Sequence, residues 1–191
     1  MSFKFFAAIC LAIVLGSALT GCLTAEHKET RIKLNPDGKS GSGVVVFTNI
    51  SSEPGDSADV SKDDFNSLIT EYYQGRKIET ENKGMKNVKK RLYKIDGKLM
   101  GEVSFEFDDV YDIGFFRYKD SGPLMYYTVA EGFFTSGQYE ASNGSYAGEK
   151  MPVIFWDSNA QELYFKMALS TPQEVRRPLA TLYQDWESGQ K

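Results

Sequence analysis

Two cysteines, Cys10 and Cys22, and one histidine, His27, are the side chains of this 191-residue sequence with the most reactive potential. Nucleophilic mechanisms of the Ser-His or Cys-His type need a base within hydrogen-bond reach of the nucleophile. The lone histidine sits in a polar stretch near the front, so the body of the chain offers no such base. A zinc site in that body would lack both of its usual ligand types. There is no Gly-x-Ser-x-Gly, and the single Ser-x-x-Lys, Ser188 to Lys191, falls at the extreme end. Gly38-Lys39-Ser40 imitates the tail of a phosphate-binding loop, but Lys33 stands where that loop requires glycine. Asp108, Asp109 and Asp112 form an acidic corner whose spacing is not that of a calcium loop; an aspartate opening a short helical turn is the simpler reading. Paired carboxylates of the glycosidase kind are a spatial matter that sequence alone leaves open. The expectation is a chain without catalytic residues, metal or cofactor.

Cys22 has a different use. Lys4 gives a short positive start, Phe5 to Leu15 is an unbroken apolar run, and Gly16, Ser17 and Ala18 end it with small residues. This is the layout of an export signal, and the run is short of the ~20 residues that would span a bilayer. Leu19-Thr20-Gly21-Cys22 then resembles the lipobox of bacterial lipoproteins. The resemblance implies a thioether-linked diacylglycerol on Cys22, cleavage before it, and acylation of the new amine by a chain such as palmitate. Cys10 would leave with residues 1–21, so the mature chain carries no disulfide. Leu23, where aspartate would imply retention at an inner membrane, points to the outer membrane facing the periplasm if the organism is Gram-negative. The expected location is the cell envelope, and the expected partner is the membrane, through the anchor.

About 170 residues remain after residues 1–21, one ordinary domain. With 41% hydrophobic and 14% aromatic residues, the chain can build a core without staples. Its formal charge of −4, about −5 without Lys4, argues against nucleic acid and against adhesion to anionic lipid by charge. Residues 22–30 are polar and read as a lipidated cysteine with a short tether. The domain is expected over 31–187, and 188–191 as a frayed tail.

Arg31 to Leu34 and Val44 to Phe47 predict a hairpin around Asn35-Pro36-Asp37-Gly38, with Ser40-Gly41-Ser42-Gly43 at or near the turn. A helix is expected from Ser61 as N-cap, with Asp64 at its third position and Val60 against Phe65. Phe65, Leu68, Ile69 and Tyr72 share its apolar face, and Gly75 closes it. Val88 to Phe107 predicts a second hairpin on Asp96-Gly97, a type I′ signal. Counting back from that turn places Ile95 opposite Lys98 and Arg91 opposite Glu102. The basic residues Lys86, Lys89, Lys90, Arg91 and Lys94 therefore read as one side of a charge-paired sheet face.

Phe115 to Trp156 is rich in aromatics, divided into short strands by Ser121-Gly122-Pro123, Gly132, Asn143-Gly144 and Gly148. Adjacent Phe and Tyr place rings on both faces. One face is core; a helix is expected over the other, and an apolar ligand or a partner is the competing reading. On that reading Phe115, Phe116, Tyr126, Tyr127, Phe133 and Phe134 form the ligand surface. Met151 to Trp156 and Glu162 to Leu169 predict a last hairpin. Thr171-Pro172-Gln173-Glu174 opens a helix that Pro178 must kink or restart.

The order of elements argues for an α+β fold: one twisted, mainly antiparallel sheet with about two helices on it. The strand with Asp37-Gly38, the helix from Ser61 and the Asp96-Gly97 hairpin ending in Phe105-Glu106-Phe107-Asp108 loosely resemble LppM-type bacterial lipoproteins. That resemblance implies an envelope domain in contact with lipid. The expected function is a non-catalytic binding or scaffolding domain at the membrane surface, with an envelope protein or a lipid as partner. The alternative is a carrier of lipid or another hydrophobic ligand.

Overall fold

The strand that begins the domain starts before Arg31, its burial alternating through the all-polar His27–Thr30. A computed structural model describes residues 23–53, 59–119, 121–128, 137–169 and 176–190. The strands are β1 (Leu23–Thr24), β2 (His27–Leu34), β3 (Gly41–Thr48), β4 (Ser51–Ser52), β5 (Lys86–Ile95), β6 (Lys98–Phe107), β7 (Phe115–Phe116), β8 (Leu124–Tyr127), β9 (Gln138–Ser142), β10 (Ser145–Tyr146), β11 (Val153–Trp156), β12 (Glu162–Ala168) and β13 (Arg177–Pro178). The helices are α1 (Ser61–Ser67), continued by a π-helical stretch Leu68–Tyr73, then α2 (Lys77–Glu81) and α3 (Ala180–Ser188). The fold is α+β, mainly antiparallel, in a single compact domain.

The strands form three sheets. The large one runs β5-β6-β3-β2-β12-β9, a smaller one β10-β11-β8-β7, and a short one β1-β4-β13. On β2 the burial alternates, with Lys28, Thr30, Ile32 and Leu34 inward and Arg31 and Lys33 outward, as a sheet with one solvated face requires. The expected tether is thus part of the fold. Leu23 and Thr24 pair with Ser52 and Ser51, and His27 to Thr30 lie in the large sheet between β3 and β12. Of the polar residues of β2, His27 and Glu29 lie on the outward half of the pattern, while Lys28 and Thr30 are buried on its inward half.

Both predicted hairpins at the front are present. β2 and β3 pair from Leu34 opposite Gly41, around a turn in which the Asp37 carboxylate accepts from the Lys39 and Ser40 amides. Gly41 and Gly43 belong to the strand rather than the turn. A Cβ on Gly41 would lie 2.8 Å from the Phe107 ring, and one on Gly43 2.3 Å from Phe105. The glycines therefore let two rings of β6 lie across β3. On the second hairpin Ile95 faces Lys98 and Arg91 faces Glu102, the register read from Asp96-Gly97, which both take positive φ.

The helix from Ser61 forms with a different start. Asp59, not Ser61, accepts from the Ser61 amide and hydroxyl. Asp64 turns inward, where its carboxylate accepts a short hydrogen bond from the buried Ser52 hydroxyl. Asp109 accepts from the Tyr111 amide and opens a 3-10 turn, Val110–Ile113, as expected of the acidic corner. Pro178 precedes α3 and pairs with Ser51 in the short sheet, so the helix starts afresh after it. Residues 170–175, with the expected helix start at Thr171, and residue 191 of the expected tail lie outside the described residues.

The last predicted hairpin is not one. β11 pairs with β8 and β10, while β12 pairs with β2 and β9. Asp157-Ser158-Asn159 carries the chain from one sheet to the other. The small sheet packs its inner face on the large one: Phe165 lies 4.5 Å from Tyr126 and 6.3 Å from both Phe115 and Trp156 between ring centres. Asn143 joins the two layers. Its side-chain oxygen accepts from Trp156 Nε1 at 2.7 Å and from the Tyr164 amide at 2.8 Å, and its amide nitrogen donates to Glu162 at 2.9 Å. Asn143→Ala is expected to lower the unfolding free energy by about 2 kcal/mol, because it leaves a buried indole N–H unpaired. Urea denaturation measures it.

Candidate ligand groove

The aromatic residues nominated as a ligand surface separate in the structure. Phe115 and Tyr126 are core residues, 1% and 2% exposed, with ring centres 5.1 Å apart. They line no surface, because their strand faces turn onto the large sheet. Phe116 and Tyr127 point the other way and are exposed. Phe133 and Phe134 lie outside the described residues. The inner aromatic face is core, as expected, packed on the large sheet; the helix expected over the outer face does not cover Phe116 and Tyr127, which are exposed.

An apolar groove lies at the other end of the large sheet. Here α1 and the π-helical stretch cross the inner face and bury Phe65, Leu68 and Ile69 with Leu99, Ile50 and Ala25. They do not close against β5. The space left has a volume of about 490 Å³, within the range of small-molecule sites. Its wall is mostly apolar: Leu23, Ala25, Phe47, Ile50, Leu68 and Leu92. Gly101 keeps it open; a Cβ there would meet Ile50 Cδ1 at 2.8 Å.

The π-helical stretch shapes one side. The Gln74 amide donates to the Ile69 carbonyl, five residues back, at 2.8 Å. Such local widening changes which side chains share a face, and here the neighbours Tyr72 and Tyr73 both line the groove. Tyr73 is braced edge-on by Trp186 at 6.2 Å, and the Lys77 ammonium sits 4.6 Å from the Tyr72 ring centre. A hydrogen bond to Glu71, then one to Tyr72, hold Lys77 well above the usual lysine range.

The rim is polar and charge-balanced, with Lys90 and Arg91 against Glu81 and Glu102. Lys90 donates to the Gly75 carbonyl at 2.6 Å and to Glu79 at 3.0 Å. Burial disfavours the Glu79 carboxylate, but its backbone hydrogen bond and Lys90 outweigh that, and it titrates below the usual range. Arg91 meets Glu102 at 3.3 Å. Arg91 is thus paired across the strand as anticipated, whereas Lys90 is engaged by Gly75 and by Glu79 of α2 instead.

The remaining candidates offer less. His27 lies between Glu140, 3.0 Å away, and Glu26, 3.4 Å away, in a row of polar side chains on the outer face whose carboxylates also pair with Lys166 and Lys98. A second, polar hollow of about 420 Å³ lies between the Asn35–Lys39 turn and Ser158–Gln161. Its guanidinium, Arg117, donates to the Gly122 and Ser158 carbonyls and ties its own turn at Gly122 to Ser158. Among the described residues no three His, Cys, Asp or Glu are grouped to hold a metal ion, and no helix is long and apolar enough to cross a membrane. Cys22 lies outside the described residues.

No protein-family model matches the sequence, and neither a curated protein nor a solved structure matches the chain.

The groove was hard to see in sequence because its wall comes from segments between Leu23 and Leu169. One signal was present: Gly101 interrupts an otherwise regular strand, which marks a close approach or a space to be kept.

Proposed function

We propose that this chain is a non-catalytic binding domain of a bacterial cell envelope, anchored to a membrane through lipid on Cys22. In this reading the groove takes the apolar chain of a lipid or similar amphiphile. The observation that carries it is the apolar wall lined by Leu23, Phe47, Ile50 and Leu92, which opens beside the residue that follows Cys22. A short apolar wall with a charge-balanced rim suits a ligand with one hydrocarbon part and a neutral or zwitterionic head. Strands in place of a tether would hold such a groove at the bilayer surface, where its ligand is most concentrated. In a Gram-negative organism the absence of aspartate at position 23 favours the outer membrane.

The test is a titration of a fluorescent lysophosphatidylcholine, one acyl chain on a zwitterionic head, into the domain from Leu23 onward. Saturable binding is expected, weakened by about tenfold or more in Gly101→Leu, which fills the groove; that factor is about 1.4 kcal/mol. Equal binding by a folded Gly101→Leu would move the site elsewhere. A second reading, docking of an envelope protein, is favoured by the exposed Phe116 and Tyr127 on the outer face of the small sheet.

A further inference from the structure

We infer that the groove is the docking place of one acyl chain of the protein's own anchor when no other ligand fills it. This rests on the proposed anchor at Cys22 and on the apolar groove. The argument is one of reach. Leu23 and Thr24 are fixed by pairing with Ser52 and Ser51, and both line the groove with Ala25. The α-carbon of Cys22 is about 3.8 Å from that of Leu23, so its lipid begins at the groove's edge. No flexible residue intervenes to carry the domain away, because the first strand starts directly after the cysteine.

The wall suits a hydrocarbon chain. Leu23, Ala25, Phe47, Ile50, Leu68 and Leu92 line it, and the charged groups in its lining are matched in number and sign. No net charge at the rim selects an ionic head, and an anchor chain brings none. A lipidated protein carries two or more chains, so one can enter the groove while another stays in the bilayer. Occupancy by the anchor also excludes a ligand from the same space. Ligand entry and release of the chain to the membrane are therefore reciprocal, as linkage between two occupants of one site requires.

The full chain, produced in a bacterial host fed a fatty acid bearing a photoreactive diazirine, tests this. Intact mass is read first. It reports whether Cys22 carries lipid and whether residues 1–21 are gone. Unmodified Cys22 or a retained leader overturns the anchor reading, and this inference with it, before any crosslink is made. With lipid confirmed, the purified protein is irradiated in detergent and the labelled peptides are mapped. Crosslinks from the anchor to peptides containing Leu68–Tyr73 and Leu92 are expected, with a several-fold loss in Gly101→Leu at unchanged anchor mass. Leu92→Trp, at the groove's open side, serves if Gly101→Leu fails its thermal-melt control. Mixing with isotopically heavy chains carrying ordinary lipid separates self-docking from docking between copies. Labels on heavy chains, on free lipid in the groove, or on detergent alone overturn the inference while leaving the anchor reading intact.

Discussion

Lys28→Met is expected to make the protein more stable, and most so at or below neutral pH. Lys28 faces inward on β2, 1% exposed, opposite Phe47 on one side and Met167 on the other. Burial disfavours its ammonium form and pushes its pKa down to about 7. The unfolded chain holds that proton until about pH 10.4. Between these values the unfolded state binds more protons, so stability rises as pH is raised from 7 toward 10 and is flat below about 7. The penalty on the charged form at low pH is on the order of 5 kcal/mol. Methionine has a similar length and no charge to desolvate. Allowing for lost contacts of the amine, we expect a gain of about 2–4 kcal/mol at pH 6, or roughly 5–10 °C in melting temperature for a chain of this size. Thermal melts of both proteins from pH 6 to 10 measure it. The wild-type curve should climb with pH and the Lys28→Met curve should stay level across that window; parallel curves would show that Lys28 is not the group responsible.

Phe165→Ala is expected to be strongly destabilising. Phe165 is fully buried on β12, and its ring meets Phe115, Tyr126 and Trp156 of the small sheet. Truncation removes the apolar contact and leaves a cavity between two sheets that cannot collapse independently, for a cost of about 3–5 kcal/mol. Phe116→Ala, on the outer face of the same small sheet, should change stability by no more than about 0.5 kcal/mol. Denaturant unfolding of the pair measures the difference. Equal, small effects would mean that the small sheet does not share the core of the large one.

The contrast between these two phenylalanines also shows where sequence reading stopped. Adjacent rings at 115 and 116 had to face opposite ways, and that much was readable from the period of a strand. Which way was inward depended on β8 and β11 pairing with each other, across a separation no local signal encodes. The same long-range choice undid the predicted hairpin at Asp157-Ser158-Asn159: both flanking strands were recognisable, and their partners were not. Local signals fared better. Asp96-Gly97 fixed a register down to Arg91 opposite Glu102, since a two-residue turn leaves one way to pair its flanks. The polar look of 23–30 misled because a strand half-exposed to solvent shows polar residues at every second position, and the inward Lys28 hid the pattern. The groove depended on three things at once: the π-helical widening at Leu68–Tyr73, the missing side chain at Gly101, and the short strand Leu23–Thr24 beside it. Of these only the glycine is a local feature of the sequence.

Native mass spectrometry of the domain from Leu23 onward, made without Cys22 so that no anchor lipid is present, tests the binding function most directly. An organic extract of the same sample identifies what is carried. The account predicts one lipid or other apolar molecule per chain in the wild type, and its loss in folded Gly101→Leu. An empty, folded wild type that also fails to take up added lysophosphatidylcholine would contradict it.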